Sequence, residues 1–246
     1  MSFSLISEKL RQLKLAGMLK EFENHQHNTL YDTLSFADRL SLLLTAELND
    51  KENRKLARLL KAAKLKYPHA CYEEIDFNPK RELDRQLFAN LSTCDWVRNN
   101  QNLFLTGATG CGKTWLASAL GNLAARNGFS VLYKRVPTLF EAIQIAHADG
   151  SLPRLRLQLS KCDVLILDDW GLSPLNQTTR HDLLEIIEYR SNHSAIIITS
   201  QLPVKEWHHY IGDPTIADAI LDRIVHKAHQ LNLKGESLRK LMNHKS

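Results

Sequence analysis

Apolar residues recur at helical spacing through the first sixty-six positions, where Gly17 is the only glycine and no proline appears before Pro68. Leu5, Leu10, Leu13, Leu15, Met18 and Leu19 predict a first helix. Phe36, Leu40, Leu43 and Leu44 predict a second, over about 35–48. Residues 51–66, KENRKLARLLKAAKLK, predict a third. On its helical wheel Leu56, Leu59, Leu60 and Ala63 gather on one side. Lys51, Arg54, Arg58 and Lys61 gather on the other, with Lys55 and Lys66 beside them. A stretch bounded by Tyr67-Pro68 and Pro79-Lys80, carrying Glu73-Glu74-Ile75-Asp76-Phe77, reads as a linker. A short helix around Arg81–Leu91 follows.

From Leu103 onward short apolar runs alternate with amphipathic stretches. Strands are expected at 102–106, 130–135, 163–168, 195–200 and 229–233. Helices are expected at 113–127, 137–148, 153–160, 177–191, 204–210, 215–226 and 237–245. Such alternation predicts an α/β fold with a parallel five-stranded sheet and helices on both faces, preceded by a small all-helical domain. The expected organisation is a helical domain over 1–66, a linker over 67–80 and a nucleotide-binding domain over 81–246.

Composition adds bounds. The 246 residues are 43% hydrophobic and 24% charged, an ordinary globular balance with a formal net charge of +5. No apolar run is long enough to cross a membrane, and the start of the chain lacks the basic and apolar segments of a signal peptide. A cytoplasmic protein is expected. Cys71, Cys94, Cys111 and Cys162 are scattered without a C-x-x-C pair, which suits reduced thiols better than zinc or disulfides. The charge is concentrated in 51–66, with seven basic residues against one acidic. That helix can lay its basic side along nucleic-acid phosphates, or it can be a solvated surface.

The chemistry is carried by Gly107-Ala108-Thr109-Gly110-Cys111-Gly112-Lys113-Thr114, a match to G-x-x-x-x-G-K-[ST]. It lies between the apolar run Asn102–Thr106 and a helix that starts near Trp115. Strand, glycine loop and helix together make this a phosphate-binding loop. Glycines let backbone N–H groups curl around phosphate oxygens, and the helix N-terminus adds partial positive charge. Lys113 would reach the β- and γ-phosphates, and the Thr114 hydroxyl would ligate Mg²⁺. Val164-Leu165-Ile166-Leu167-Asp168-Asp169 reads as a buried parallel strand ending in two carboxylates. Ligands of such sheets sit beyond the carboxyl ends of the strands. Asp168 is therefore placed to hold Mg²⁺, directly or through water, and Asp169 to orient or deprotonate an attacking water. Alone a terminal Asp-Asp is a weak signal; downstream of the loop it points to nucleotide hydrolysis.

These residues carry a resemblance. The chain resembles the IstB family of transposition helper ATPases, relatives of the DnaC helicase loaders in the AAA+ superfamily. The similarity includes RLLKAAKLKYPHACYEEIDF, the phosphate loop, LDDWG, IIITSQLPVKEW and AILDRIVHKAHQLNLKGESLRK. It implies a sensor element in Thr199-Ser200-Gln201, where Ser200 or Gln201 would meet the attacking water or the γ-phosphate; relatives carry Asn where this chain has Gln201. It implies that Arg223, in Leu-Asp-Arg, enters the neighbouring subunit's nucleotide site. Arg190 and Arg239 are further candidates for that role, and an ion pair with Asp218 or Asp222 is the plain alternative for Arg223. The loop departs from the common GPPGTGKT at Ala108, Thr109 and Cys111. Beside Lys113 at a helix N-terminus, Cys111 is expected to be a reactive thiol when the site is empty. No helical lid is expected after Arg239.

The resemblance implies an ATP- and Mg²⁺-dependent protein that forms homo-oligomers through nucleotide-bridged interfaces. It would bind double-stranded DNA through Lys51, Arg54, Lys55, Arg58 and Lys61, and serve a cognate transposase. The nucleotide would be held by Gly107 through Trp115. The nearest rival is a DnaC-like helicase loader working on single strands, which the aromatic-poor basic helix disfavours. A small-molecule kinase and a nucleotide-binding scaffold without turnover are further alternatives, disfavoured by the paired Asp168-Asp169 and by the intact Lys113 and Thr114.

Overall fold

The computed structural model describes residues 3–235. The expected helix over 237–245, and Arg239 with it, lies outside the described residues. The chain divides into two compact units, one ending at Arg58 and one beginning at Leu59.

The first unit is helical. Helix α1 spans Phe3–Gln12 and α2 spans Ala16–His27, followed by a 3₁₀ turn over Thr29–Thr33. One helix was expected where these two stand. Lys14 adopts a left-handed φ of +58° between them, which ends the first helix. Gly17 is required just after the break, because a Cβ there would lie 2.4 Å from the Ala46 carbonyl oxygen. The second and third expected helices are one continuous helix, α3 over Phe36–Ala63. Its start is capped by Ser35, whose Oγ accepts from the Asp38 N–H at 3.2 Å. Polar Asn49-Asp50 does not interrupt it, since neither residue is a strong breaker. The division between units falls inside α3, eight residues before the expected boundary at 66.

The second unit opens with the end of α3. Ala63 and Leu65 are core residues of this unit, with Leu59 and Leu60 packed beside them. The stretch read as a linker is a packed strap. Ala70 and Ile75 are buried. The Asn122 amide donates to the carbonyls of Pro68 and Ala70 at 3.0 and 2.7 Å. Phe77 meets the Phe88 ring edge-on. The expected helix at 81–91 is a 3₁₀ turn over Pro79–Arg81 and then α4 over Arg85–Ser92, N-capped by Asp84. A short α5 over Asp95–Arg98 precedes the sheet.

The five strands are β1 Asn102–Gly107, β2 Val131–Arg135, β3 Val164–Trp170, β4 Ala195–Ser200 and β5 Ala228–Leu233. All pairings are parallel, in the order β2-β3-β4-β1-β5. The connecting helices are α6 Lys113–Arg126, α7 Val136–Asp149, α8 Leu152–Lys161, α9 Gln177–Arg190, α10 Trp207–Ile211 and α11 Pro214–Val225.

Alternate strand residues feed two cores. Leu103, Leu105, Val164, Ile166 and Ile197 pack against α6 and α4. Phe104, Leu165, Leu167, Ile196 and Ile198 pack against α7 to α11. Both faces of the central strands are therefore dry, which is why they read as unbroken apolar runs. The polar residues that close these strands are forced to one edge, the carboxyl ends of β1, β3 and β4.

Candidate functional site

At the end of β1 the chain turns through the glycine loop. Gly107 has φ +144°, and a Cβ there would lie 2.3 Å from the Leu233 carbonyl oxygen, so no other residue fits. Gly112 has φ +93° and leads directly into α6. Lys113 is buried, and its Nζ donates to the carbonyls of Gly107 and Ala108, each at 2.7 Å. The loop thus folds around its own lysine. Arg81 braces it from behind, donating to the Cys111 carbonyl at 3.2 Å and to the Asp76 carbonyl at 3.2 Å. Sequence reading missed Arg81, which stands just past the expected linker, at the start of the expected helix. Cys111 corrects an expectation. It is 2% exposed and packs in the core beneath the loop, so its thiol is not presented for reaction.

The second half of the site is built on β3. The β3–β4 register shifts between Leu167 and Trp170, and Asp169 takes a left-handed φ of +64°. The irregularity sends the two carboxylates different ways. Asp168 is fully buried. Its Oδ1 accepts from Thr114 Oγ1 at 2.8 Å and from Thr199 Oγ1 at 2.6 Å. Its Oδ2 accepts from the Tyr133 hydroxyl at 2.6 Å. Burial, with the bonded carboxylate second, raises the Tyr133 phenol far above its ordinary range and keeps it a donor. Asp169 turns to Arg135, whose Nε donates to its Oδ2 at 2.7 Å. That hydrogen bond is the main reason the Arg135 guanidinium is held above its usual pKa. Thr199 also accepts the Asp169 backbone N–H at 3.0 Å, tying β4 to both acidic residues.

The sensor element divides. Ser200 is buried, donates to the Trp170 carbonyl at 2.8 Å and accepts from the Leu202 N–H at 3.0 Å, so it shapes a turn and does not face the loop. Gln201 does: its Oε1 accepts from Thr109 Oγ1 at 2.7 Å. Thr109, Lys113, Thr114, Trp115, Asp169 and Gln201 line one cavity of about 480 Å³, with Arg135 and Tyr67 also on its wall. The volume is that of a small-molecule site.

Other expected residues lie elsewhere. Arg223, on α11, does not line that cavity; it donates to the Ala219 carbonyl at 2.7 Å and pairs with Glu188 at 2.9 Å. Asp218 and Asp222, its expected partners, take His208 and His226 instead. Arg190 is fully buried and donates to the carbonyls of Leu159, Cys162 and Ala195, a structural role that removes it as a candidate for a neighbour's site. On α3, Arg54 pairs with Asp50 at 2.6 Å, and Lys51 and Arg54 lie 3.5 and 3.7 Å from Glu47. Lys55, Arg58 and Lys61 are exposed, with no ion-pair partner among the described residues.

The donor chemistry fits a magnesium ion. A hydroxyl and a carboxylate are hard oxygen ligands, and Asp168 is a buried anion with no cation paired to it among the described residues. Among those residues no three His, Cys, Asp or Glu side chains converge on a metal position. Mg²⁺ does not ask for such a cage; it takes one or two side chains and completes its shell with water and phosphate.

Comparison with known proteins gives the family. The family model described as IstB-like ATP binding protein matches residues 8–246. The chain is 49% identical over 239 residues to y4pL of Sinorhizobium fredii, which is named as an insertion sequence ATP-binding protein; the match covers 97% of each chain. It is 51% identical over 195 residues to the ATP-binding protein of insertion sequence IS1162 from Pseudomonas fluorescens, covering 79% of this chain and 84% of that one. Among solved structures, a DnaC helicase loader superimposes with a TM-score of 0.54 at 21% identity, covering 68% of this chain and 98% of that one. The last is a likeness of fold. Among the described residues no helix is long and apolar enough to cross a membrane.

Proposed function

Because the chain belongs to the IstB-like ATP-binding family, we propose that it is the ATP-hydrolysing helper of an insertion-sequence transposase, assembling on duplex DNA and resetting by hydrolysis. ATP binding comes with the family, and its relatives are named from insertion sequences. One observation supports turnover above all: Thr114 of the loop is bonded to the buried Asp168, while the adjacent Asp169 faces the same cavity as Lys113.

Each residue then has a task. Lys113 exchanges the Gly107 and Ala108 carbonyls for β- and γ-phosphate oxygens, and stabilises the charge that develops on them. Thr114 and Asp168 would hold Mg²⁺, which would supply positive charge beside the phosphates. Asp169 orients the attacking water and accepts its proton. Gln201, beside Thr109, donates its amide toward the γ-phosphate end. Arg223 of one protomer completes the site of the next, so ATP bridges subunits and assembly follows nucleotide state. The basic face of α3 meets DNA phosphates without reading bases.

The test is phosphate release by the purified chain with and without duplex DNA and a cognate transposase. Lys113→Ala should abolish ATP binding. Asp169→Asn should keep binding and lose about a hundred-fold or more of turnover. Wild-type hydrolysis in Lys113→Ala would put the site elsewhere. Binding confined to single strands, with capture of a replicative helicase, would favour the loader reading.

A further inference from the structure

Three hydroxyls hold Asp168. Two come from the elements any phosphate loop requires: Thr114 closes the loop, and Thr199 ends the strand alongside. The third comes from β2, an edge strand with no part in the phosphate motif. Strand pairing explains its presence. Tyr133 sits opposite Ile166 and Arg135 opposite Asp168. Side chains two apart on a strand share a face, and here they reach forward along β3. Tyr133 meets Asp168 and Arg135 meets Asp169.

An ionised carboxylate offers about four lone-pair positions. Two donors occupy Oδ1, and Tyr133 takes one of the two positions on Oδ2. Both positions on Oδ1 are filled, so the carboxylate can meet a cation only through the one open position on Oδ2, and the Tyr133 bond fixes where that position points. That restriction separates ions of different size. Calcium favours bidentate carboxylates and a large, adaptable oxygen shell; magnesium keeps its water and accepts a single contact.

We propose that Tyr133 is a positioning residue that makes the site selective for Mg²⁺, by holding Oδ2 of Asp168 so that its one open position, the carboxylate's single possible contact with a cation, is fixed in direction. The assignment rests on the reading of the cavity as an ATP and Mg²⁺ site. Removing the phenolic hydroxyl releases Oδ2 and lets the carboxylate turn. Magnesium then loses its prearranged partner, and larger ions, whose shells adapt, accommodate the turned carboxylate.

The experiment uses the full chain and its Tyr133→Phe variant. ATP affinity is measured by calorimetry in the absence of metal and across Mg²⁺, Mn²⁺ and Ca²⁺ series, alongside the thermal unfolding midpoint. The Mg²⁺ concentration for half-maximal tightening should rise about tenfold or more, the usual effect of losing a partner that orients a metal ligand. The Ca²⁺ series should hold or improve, so that the Mg²⁺-to-Ca²⁺ ratio falls. Thr199→Val, isosteric on the other oxygen, should also weaken the Mg²⁺ response and serves if Tyr133→Phe does not fold. An unchanged Mg²⁺ midpoint and ion ratio in Tyr133→Phe would overturn the proposal. So would equal losses of affinity with and without metal, which mark a merely structural role. A wild-type chain whose ATP binding ignores metal altogether would instead overturn the functional reading beneath it.

Discussion

Arg135 Nε lies 2.7 Å from Asp169 Oδ2, across the gap between the ends of β2 and β3. Asp169 is the carboxylate assigned to the attacking water, and in this arrangement one of its oxygens is already taken. Arg135 is 47% exposed in its side chain, so solvent and other anions reach it. The pair is therefore weak enough to exchange partners.

Substituting Arg135 by Ala should raise ATP turnover in the absence of DNA. The gain should be up to about fivefold, since a half-exposed ion pair is worth about 1 kcal/mol at most. ATP affinity should change little. Phosphate release measured without DNA checks this. A fall to the level of Asp169→Asn would mean that Arg135 aims the carboxylate and does not restrain it.

Arg223 is committed to Glu188 and to the Ala219 carbonyl within its own chain. Glu188 is 57% exposed, so that interaction costs little to break, as the proposed docking of a neighbouring subunit requires. Arg223→Ala should bind ATP normally as a monomer and lose turnover in the assembly. Mixing it with Lys113→Ala should restore part of the turnover, because each variant spoils a different half of a shared site. Absent rescue, together with weak ATP binding by the Arg223→Ala monomer, would make the arginine structural.

Much of the site was legible because its signals are local. The glycine loop needs eight consecutive residues, and the acidic strand end needs six. The sheet followed from apolar runs that both faces bury. Three contributors were invisible, and Thr199 was named only as part of a sensor element, for a common reason. Arg81, Tyr133, Arg135 and Thr199 act through partners 30 or more residues away. On β2 the run Tyr133-Lys134-Arg135 reads as polar strand residues; only the pairing of β2 with β3 shows which carboxylates they meet. Ser200 and Gln201 were offered together because a turn, not a pattern, decides which of two adjacent side chains faces the loop. The break at Lys14 was equally hidden, since lysine carries no turn signal.

Glu47 predicts an acid-sensitive first unit. It is 4% exposed and accepts the N–H groups of Gly17 and Met18 at 2.9 and 3.1 Å, which ties α3 to the start of α2. Burial alone would raise its pKa; the hydrogen bonds from Met18 and Gly17, with Lys51 nearby, outweigh burial and lower it. A carboxylate with a lowered folded pKa stabilises fully above its unfolded value, about 4.3. It loses that contribution as pH falls through the lower folded value. Hydrogen exchange of peptides covering α1 and α2 in the full chain should accelerate below about pH 4.3. Glu47→Gln should show fast exchange already at neutral pH, a loss of roughly 1–3 kcal/mol. A Gln variant as protected as wild type at pH 7 would remove Glu47 from this role.

The basic face of α3 gives the most discriminating prediction, because the structure divides its charges. Lys51 and Arg54 are partly neutralised by Glu47 and Asp50. Lys55, Arg58 and Lys61 are exposed and have no ion-pair partner among the described residues. They recur at three-residue spacing, a stripe along one side of the helix. If they meet duplex phosphates, changing all three to Ala should weaken binding to every sequence alike. It should also flatten the slope of log affinity against log salt by about 0.9 for each phosphate that is no longer neutralised. Lys51→Ala with Arg54→Ala should have a smaller effect, since those charges already serve the fold. ATP binding should survive both changes, as none of the five residues lines the nucleotide cavity. Duplex affinity across a salt series decides the matter. Parallel lines of equal affinity for wild type and the Lys55, Arg58 and Lys61 variant would make this face a solvated surface, and DNA binding would have to come from elsewhere on the chain.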